Sequence, residues 1–192
     1  MFFIPGILIS ILTFPGVIVH ELSHQLFCYL RHVPVYNVKY FQFKNPSGYV
    51  VHEPTDNPLT TLIISIGPFI VNTLLGALLL FPASIEMNEF GALGWLLGNG
   101  INSPAILHTL IMLISYWLGL SILMHAFPST GDAQVLVNNI LKNKNVHFFF
   151  KILVAPIIGL IYIGAFGSMF WLDLGYALVV AAFLPKIIAL FF

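Results

Sequence analysis

Residues 59–81 read LTTLIISIGPFIVNTLLGALLLF, without one Asp, Glu, Lys or Arg. The run matches the roughly 20 apolar residues that carry a helix across the hydrocarbon core of a bilayer. Gly67, Pro68 and Asn72 interrupt it. A Gly-Pro pair and an amide at mid-span predict a locally bent helix packed against other protein. The whole chain has the same character: of 192 residues, 59% are hydrophobic and 7% charged, whereas soluble domains are roughly 25% charged. A water-soluble globule is thereby excluded, and the expected surroundings are a lipid bilayer. Seven Lys and Arg balance seven Asp and Glu, and no basic run offers a footprint for nucleic acid. The single cysteine, Cys28, excludes an internal disulfide and reads as a small buried hydrophobe.

Towards the N-terminus, residues 2–31 form another apolar stretch that Pro5, Pro15 and Gly16 should kink. Met1-Phe2-Phe3-Ile4-Pro5 supplies no basic region and no small-residue cleavage site follows, so the stretch reads as a retained helix. Between these two spans, Val38, Tyr40, Phe41 and Phe43 precede Asn45-Pro46-Ser47-Gly48, and Tyr49, Val50 and Val51 follow it. Aromatic and β-branched runs flanking a Pro/Ser/Gly turn predict a β-hairpin over residues 35–53. Residues 82–103 carry Glu86, Glu89, Trp95 and four glycines and suit an interfacial or re-entrant loop. A third span over residues 104–127 should break at Pro128-Ser129-Thr130-Gly131-Asp132. A short amphipathic helix is expected over residues 133–141, and residues 148–192 leave room for two more spans divided near residues 171–175.

The resulting expectation is an all-α polytopic membrane protein forming one embedded domain over residues 1–192. About five transmembrane helices surround a three-helix core within about residues 1–141, with additional helices over about 147–192 and a small β-hairpin between helices 1 and 2. Arg31, Lys39 and Lys44 follow the first span and Lys142, Lys144 and Lys151 the third, while the loop after the second has no basic residue. The positive-inside bias then places the N-terminus outside, and the hairpin and the Lys142 loop on the cytoplasmic side.

The first span contains His20-Glu21-Leu22-Ser23-His24. On a helix, side chains four apart share a face, so both imidazoles reach one zinc ion while Glu21 addresses a water there. Ionisable groups at membrane depth each cost at least about 2.5 kcal/mol on insertion scales, so three together predict a functional site. The competing reading is a metal-free polar seam in which the three satisfy one another. A catalytic zinc takes three protein ligands, and few carboxylates are available. Glu53 and Asp56 lie in the hairpin region, Glu86 and Glu89 on the opposite side, and Asp173 between the last spans. Asp132 reaches the depth of His24 if the Pro128 break turns back into the protein. Its alternative role is an N-cap for a helix beginning at Ala133. His108 suits a structural hydrogen bond, and His32, His52 and His147 fall in expected loops.

These motifs resemble the site-2 protease family of intramembrane zinc metalloproteases. The resemblance rests on H-E-x-x-H in a membrane helix, Gly67-Pro68-Phe69-Ile70-Val71-Asn72 in the next span, and a Pro-containing break leading to Asp132. The third motif differs from the family's usual Asn-x-x-Pro-x-Pro-x-x-Asp-Gly: here His125-Ala126-Phe127-Pro128-Ser129-Thr130-Gly131-Asp132-Ala133 begins with His, lacks the second Pro and is one residue shorter. The usual regulatory modules are absent. The resemblance implies zinc held by His20, His24 and Asp132, with His125 a competitor for the third position. Glu21 is implied as general base, and Asn72 as a donor to the oxyanion or substrate backbone; Asn72 otherwise reads as an inter-helix hydrogen-bonding residue. The implied substrates are transmembrane proteins, cut in or near their spans. The hairpin either adds a substrate strand to its edge or merely covers the site. An inactive relative that binds transmembrane segments as a scaffold or chaperone is the main alternative, and a metal-ion transporter a weaker one.

Overall fold

The computed structural model describes residues 6–90 and 106–190. Helix α1 (Gly6–Leu12) and helix α2 (Phe14–Leu30) meet at Thr13 with a bend of 90°. The sequence predicts a kink here, and the chain makes a corner. Pro15 cannot donate a backbone hydrogen bond, so the helical ladder is already weakened. The corner is held by side chains instead: Thr13 Oγ1 donates to the Ile9 carbonyl at 2.7 Å and Trp117 Nε1 to the Leu12 carbonyl at 3.1 Å. Freed carbonyls at membrane depth need such partners.

Strands β1 (Val35–Lys39) and β2 (Tyr49–His52) pair antiparallel, with Val38 opposite Val50 and Lys39 opposite Tyr49. The predicted hairpin forms, but its first strand ends before the aromatic run. Tyr40, Phe41 and Phe43 lie in the connecting loop because they pack elsewhere. Phe41 lies 5.9 Å from the ring of Phe14, which lies 5.9 Å from Trp117. Tyr40 hydrogen-bonds Gln25. The hairpin therefore runs back alongside α2, and its tip meets the N-terminal half of that helix.

Helix α3 (Pro58–Phe90) continues through Pro68 and Pro82, so residues 82–90 of the expected loop are helical. Burial of Leu80, Ala83 and Ser84 carries the helix past the missing amide. The remainder of that expected loop, with Trp95, lies outside the described residues. Helix α4 (Ile106–Met124) packs on α3 where Gly76 and Gly119 face each other: a Cβ on either would approach the other's carbonyl to 3.0 or 2.8 Å. Small residues permit this close approach of backbones. After the break come α5 (Thr130–Leu136), a π-helical turn over Val137–Leu141, α6 (Phe148–Gly167) and α7 (Leu172–Ile188). A short turn ending at Trp171, whose φ is 63°, separates the last two helices, close to the predicted division.

Two apolar cores share α3. In one, Leu62 meets Leu136, Ile140, Val154 and Ile158; in the other, Leu80 meets Leu123, Met124, Ala177 and Ala181. The outer faces are apolar as well: Leu74, Leu78, Leu107, Leu110, Leu153 and Leu160 are exposed. An apolar belt of this extent is incompatible with water and suits lipid. Among the described residues, Pro58–Glu86, Leu107–Met124 and Phe148–Gly167 are long and apolar enough to cross a membrane, and the bent α1–α2 pair makes a fourth if it counts as one span.

Candidate metal centre

Helix α2 is polar inside and apolar outside. Its buried face carries Val17, His20, Glu21, Ser23, His24 and Cys28, while Leu22 and Leu26 are exposed. A soluble helix has the opposite arrangement. The four-residue spacing puts the two imidazoles in contact, with ring centres 4.9 Å apart.

Each imidazole is fixed by its second nitrogen. His20 Nδ1 lies 2.7 Å from the His125 carbonyl, and His24 Nδ1 lies 3.1 Å from the Ile64 carbonyl. A carbonyl only accepts, so each Nδ1 carries the proton and each Nε2 of the neutral ring keeps its lone pair. Metal-binding histidines use this arrangement. The break after α4 delivers the third group, with Asp132 Oδ1 lying 3.6 Å from His24 Nε2. One ligand atom from each of His20, His24 and Asp132 lies within 4.8 Å of the others. Ligands bound to one tetrahedral zinc at about 2.0–2.1 Å lie roughly 3.4 Å apart. The donor set and its spacing fit one ion after small side-chain adjustments.

Asp132 belongs to a capping box without being the cap itself. The cap is Ser129, not Asp132, and the helix starts at Thr130 instead of Ala133. Asp132 Oδ2 accepts from the Ser129 N–H at 2.8 Å and from Ser129 Oγ at 2.6 Å, while the Asp132 N–H donates back to Ser129 Oγ at 3.2 Å. This capping box locks the carboxylate and leaves Oδ1 towards His24.

His125 stands outside the three-ligand group. Its Nε2 pairs with Thr13 Oγ1 at 2.8 Å, so its side chain secures the α1–α2 corner and its carbonyl orients His20. Asn72 is fully buried. Its amide nitrogen donates to the carbonyls of Gly16, Ile122 and His125 at 3.3, 3.2 and 3.0 Å. Both amide hydrogens are thus engaged in tying α3 to α2 and α4, the inter-helix arrangement. Sequence reasoning missed the carbonyls of His125 and Ile64 and the role of Thr13. Any residue supplies a carbonyl, so no residue type could have signalled the first two. Cys28 is fully buried, and His108 pairs with Glu86 at 3.2 Å.

Glu21 is turned to a cavity of about 570 Å³ that it lines with His20, Val17, His125, the hairpin tip and residues of α1 and α7. No hydrogen bond holds its carboxylate among the described residues. The hairpin tip limits it sterically instead: a Cβ on Gly48 would lie 2.7 Å from Glu21 Cγ and 3.0 Å from Glu21 Oε1. Gly48→Ala is therefore expected to displace the Glu21 carboxylate while sparing the metal ligands.

Comparison with protein-family models, curated proteins and solved structures finds no match to this chain. The functional reading therefore rests on the residues and their geometry.

Proposed function

We propose that this chain is an intramembrane zinc endopeptidase, similar to the site-2 proteases, that hydrolyses peptide bonds in or near transmembrane segments of other proteins. The observation that carries the reading is the convergence of His20, His24 and Asp132 on one point of a polar helix face, beside a carboxylate that opens onto a cavity. A metal-free seam would leave two acceptors, His24 Nε2 and Asp132 Oδ1, facing each other at 3.6 Å with no donor between them. In this reading His20, His24 and Asp132 hold the zinc, which when bound would lower the pKa of a coordinated water to about 7 and polarise the scissile carbonyl. Glu21 accepts a proton from the attacking water and returns it to the leaving amine. Asn72 acts as a positioning residue: it shares the His125 carbonyl with His20 and holds the three helices that carry the site.

The same reading assigns about five spans, with α1–α2 as the first and α7 as the last, the N-terminus outside and the site opening towards the cytoplasm. The basic residues after the first and third spans support that orientation. Substrate helices must unwind before attack, because each carbonyl is otherwise in its own hydrogen bond. Strand β2 supplies an edge for the unwound segment. Val50, Val51 and His52 line a groove of about 390 Å³ with Ile64 and Ser65 of α3 and with Val135, and the Ile64 carbonyl is the partner of His24. Val50→Pro is expected to slow cleavage while leaving one zinc per chain. Unchanged cleavage would reduce the hairpin to a cover. The direct test of the whole proposal is hydrolysis of a fluorogenic membrane peptide by purified protein in detergent. Zinc-dependent cleavage supports it. Zinc binding with capture of transmembrane segments but no cleavage would favour the scaffold or chaperone reading.

A further inference from the structure

The cavity in front of Glu21 is larger than water delivery requires. At about 570 Å³ it falls in the range of pockets that enclose several ligand groups. Its wall includes a second carboxylate from a distant part of the chain, Asp173 of α7, and, among the described residues, no Lys or Arg. One oxygen of Asp173 accepts from the Leu174 N–H at 2.9 Å. Its own backbone N–H also donates to the carboxylate. An acid in the first turn of a helix is favoured by the helix dipole, which accounts for an Asp at this position but not for its place on the cavity wall. A carboxylate on the wall of a cavity is electrostatically complementary to a cationic group of whatever occupies it. A Lys or Arg close to a membrane span needs a counter-charge.

Resting on the hydrolase reading above, we infer that Asp173 is a specificity-determining residue: it pairs with a Lys or Arg side chain of the peptide segment that occupies the cavity. Complementary charge of this kind selects partners and sets register more than it adds affinity. The preferred substrate is then an apolar segment with one cationic residue at a fixed offset from the bond presented to Glu21. Segments with an acidic residue at that offset are rejected, because they place like charges together in a confined space.

The test uses zinc-loaded full-length Glu21→Gln protein in detergent, which removes both hydrolysis and the other carboxylate of the cavity. Fluorescein-labelled apolar host peptides carry a single Lys, norleucine or Glu scanned along their length, and binding is read by fluorescence anisotropy. Lys is expected to bind about tenfold tighter than norleucine at one offset only, equivalent to about 1.4 kcal/mol. Adding Asp173→Asn should bring the preference to within about twofold, and Asp173→Lys should transfer it to Glu. Equal binding of Lys and norleucine at every offset, a preference that survives Asp173→Asn, or binding of no peptide would overturn the inference. A purely helix-capping role predicts lower thermal stability of Asp173→Asn with the Lys preference intact, and that result also overturns it. Failure of protein with native Glu21 to hydrolyse any host peptide sinks the protease reading separately, since the binding preference is measured without turnover.

Discussion

Glu21→Gln is expected to abolish peptide hydrolysis while leaving about one zinc per chain. Gln keeps the shape of the side chain and its fit beneath Gly48 but cannot accept the proton of the attacking water. General-base catalysis contributes about 10²–10⁴-fold, so kcat should fall by at least two orders of magnitude. The change should spare the metal because Glu21 is outside the three-ligand group. Side-by-side assays of zinc content and cleavage of a fluorogenic membrane peptide check this. Retained cleavage would remove Glu21 from the mechanism, and joint loss of zinc would make it a structural residue.

His24→Ala has the second large effect, on the metal itself. In the proposed centre the imidazole contributes one of three ligands, and its Nδ1–H bond to the Ile64 carbonyl ties α2 to α3. Loss of outer-shell partners alone weakens metal binding by about 10–100-fold, so loss of a direct ligand should exceed that. Zinc should fall from one per chain to below about a tenth of that after dialysis against a weak chelator. Asp132→Ala should behave likewise. His125→Ala should retain zinc, since that residue serves through its carbonyl and its contact with Thr13. If His125→Ala lost zinc and Asp132→Ala kept it, the third ligand would be reassigned.

Much of the site was legible because its signals are local or scarce. The i, i+4 spacing of His20 and His24 fixes their common face whatever the rest of the chain does. Asp132 could be selected because so few carboxylates exist, and the Pro128 break predicted a turn there. Its place in the capping box, with one oxygen on Ser129 and the other towards His24, depends on Ser129 capping a helix that starts at Thr130, three residues before Ala133, and a preference for capping residues alone left that start open. Other features were illegible because distant partners decide them. The right angle at Thr13 depends on Trp117 and His125, more than 100 residues away. Helix α3 survives Pro82 because Leu80 is buried against α4 and α7 and Ala83 is fully buried, so that tertiary packing overrides a local breaker. The first strand stops at Lys39 because Tyr40 and Phe41 find partners on α2, an option that strand propensity does not register.

The most direct measurement is X-ray absorption at the zinc edge on purified protein in detergent, together with zinc stoichiometry. Two imidazole nitrogens at about 2.0–2.1 Å and a carboxylate oxygen at about 2.0–2.2 Å are predicted, with the zinc itself lost in Asp132→Ala. Absence of zinc, sulfur in the first shell, or a spectrum unchanged by Asp132→Ala would contradict a centre built from His20, His24 and Asp132.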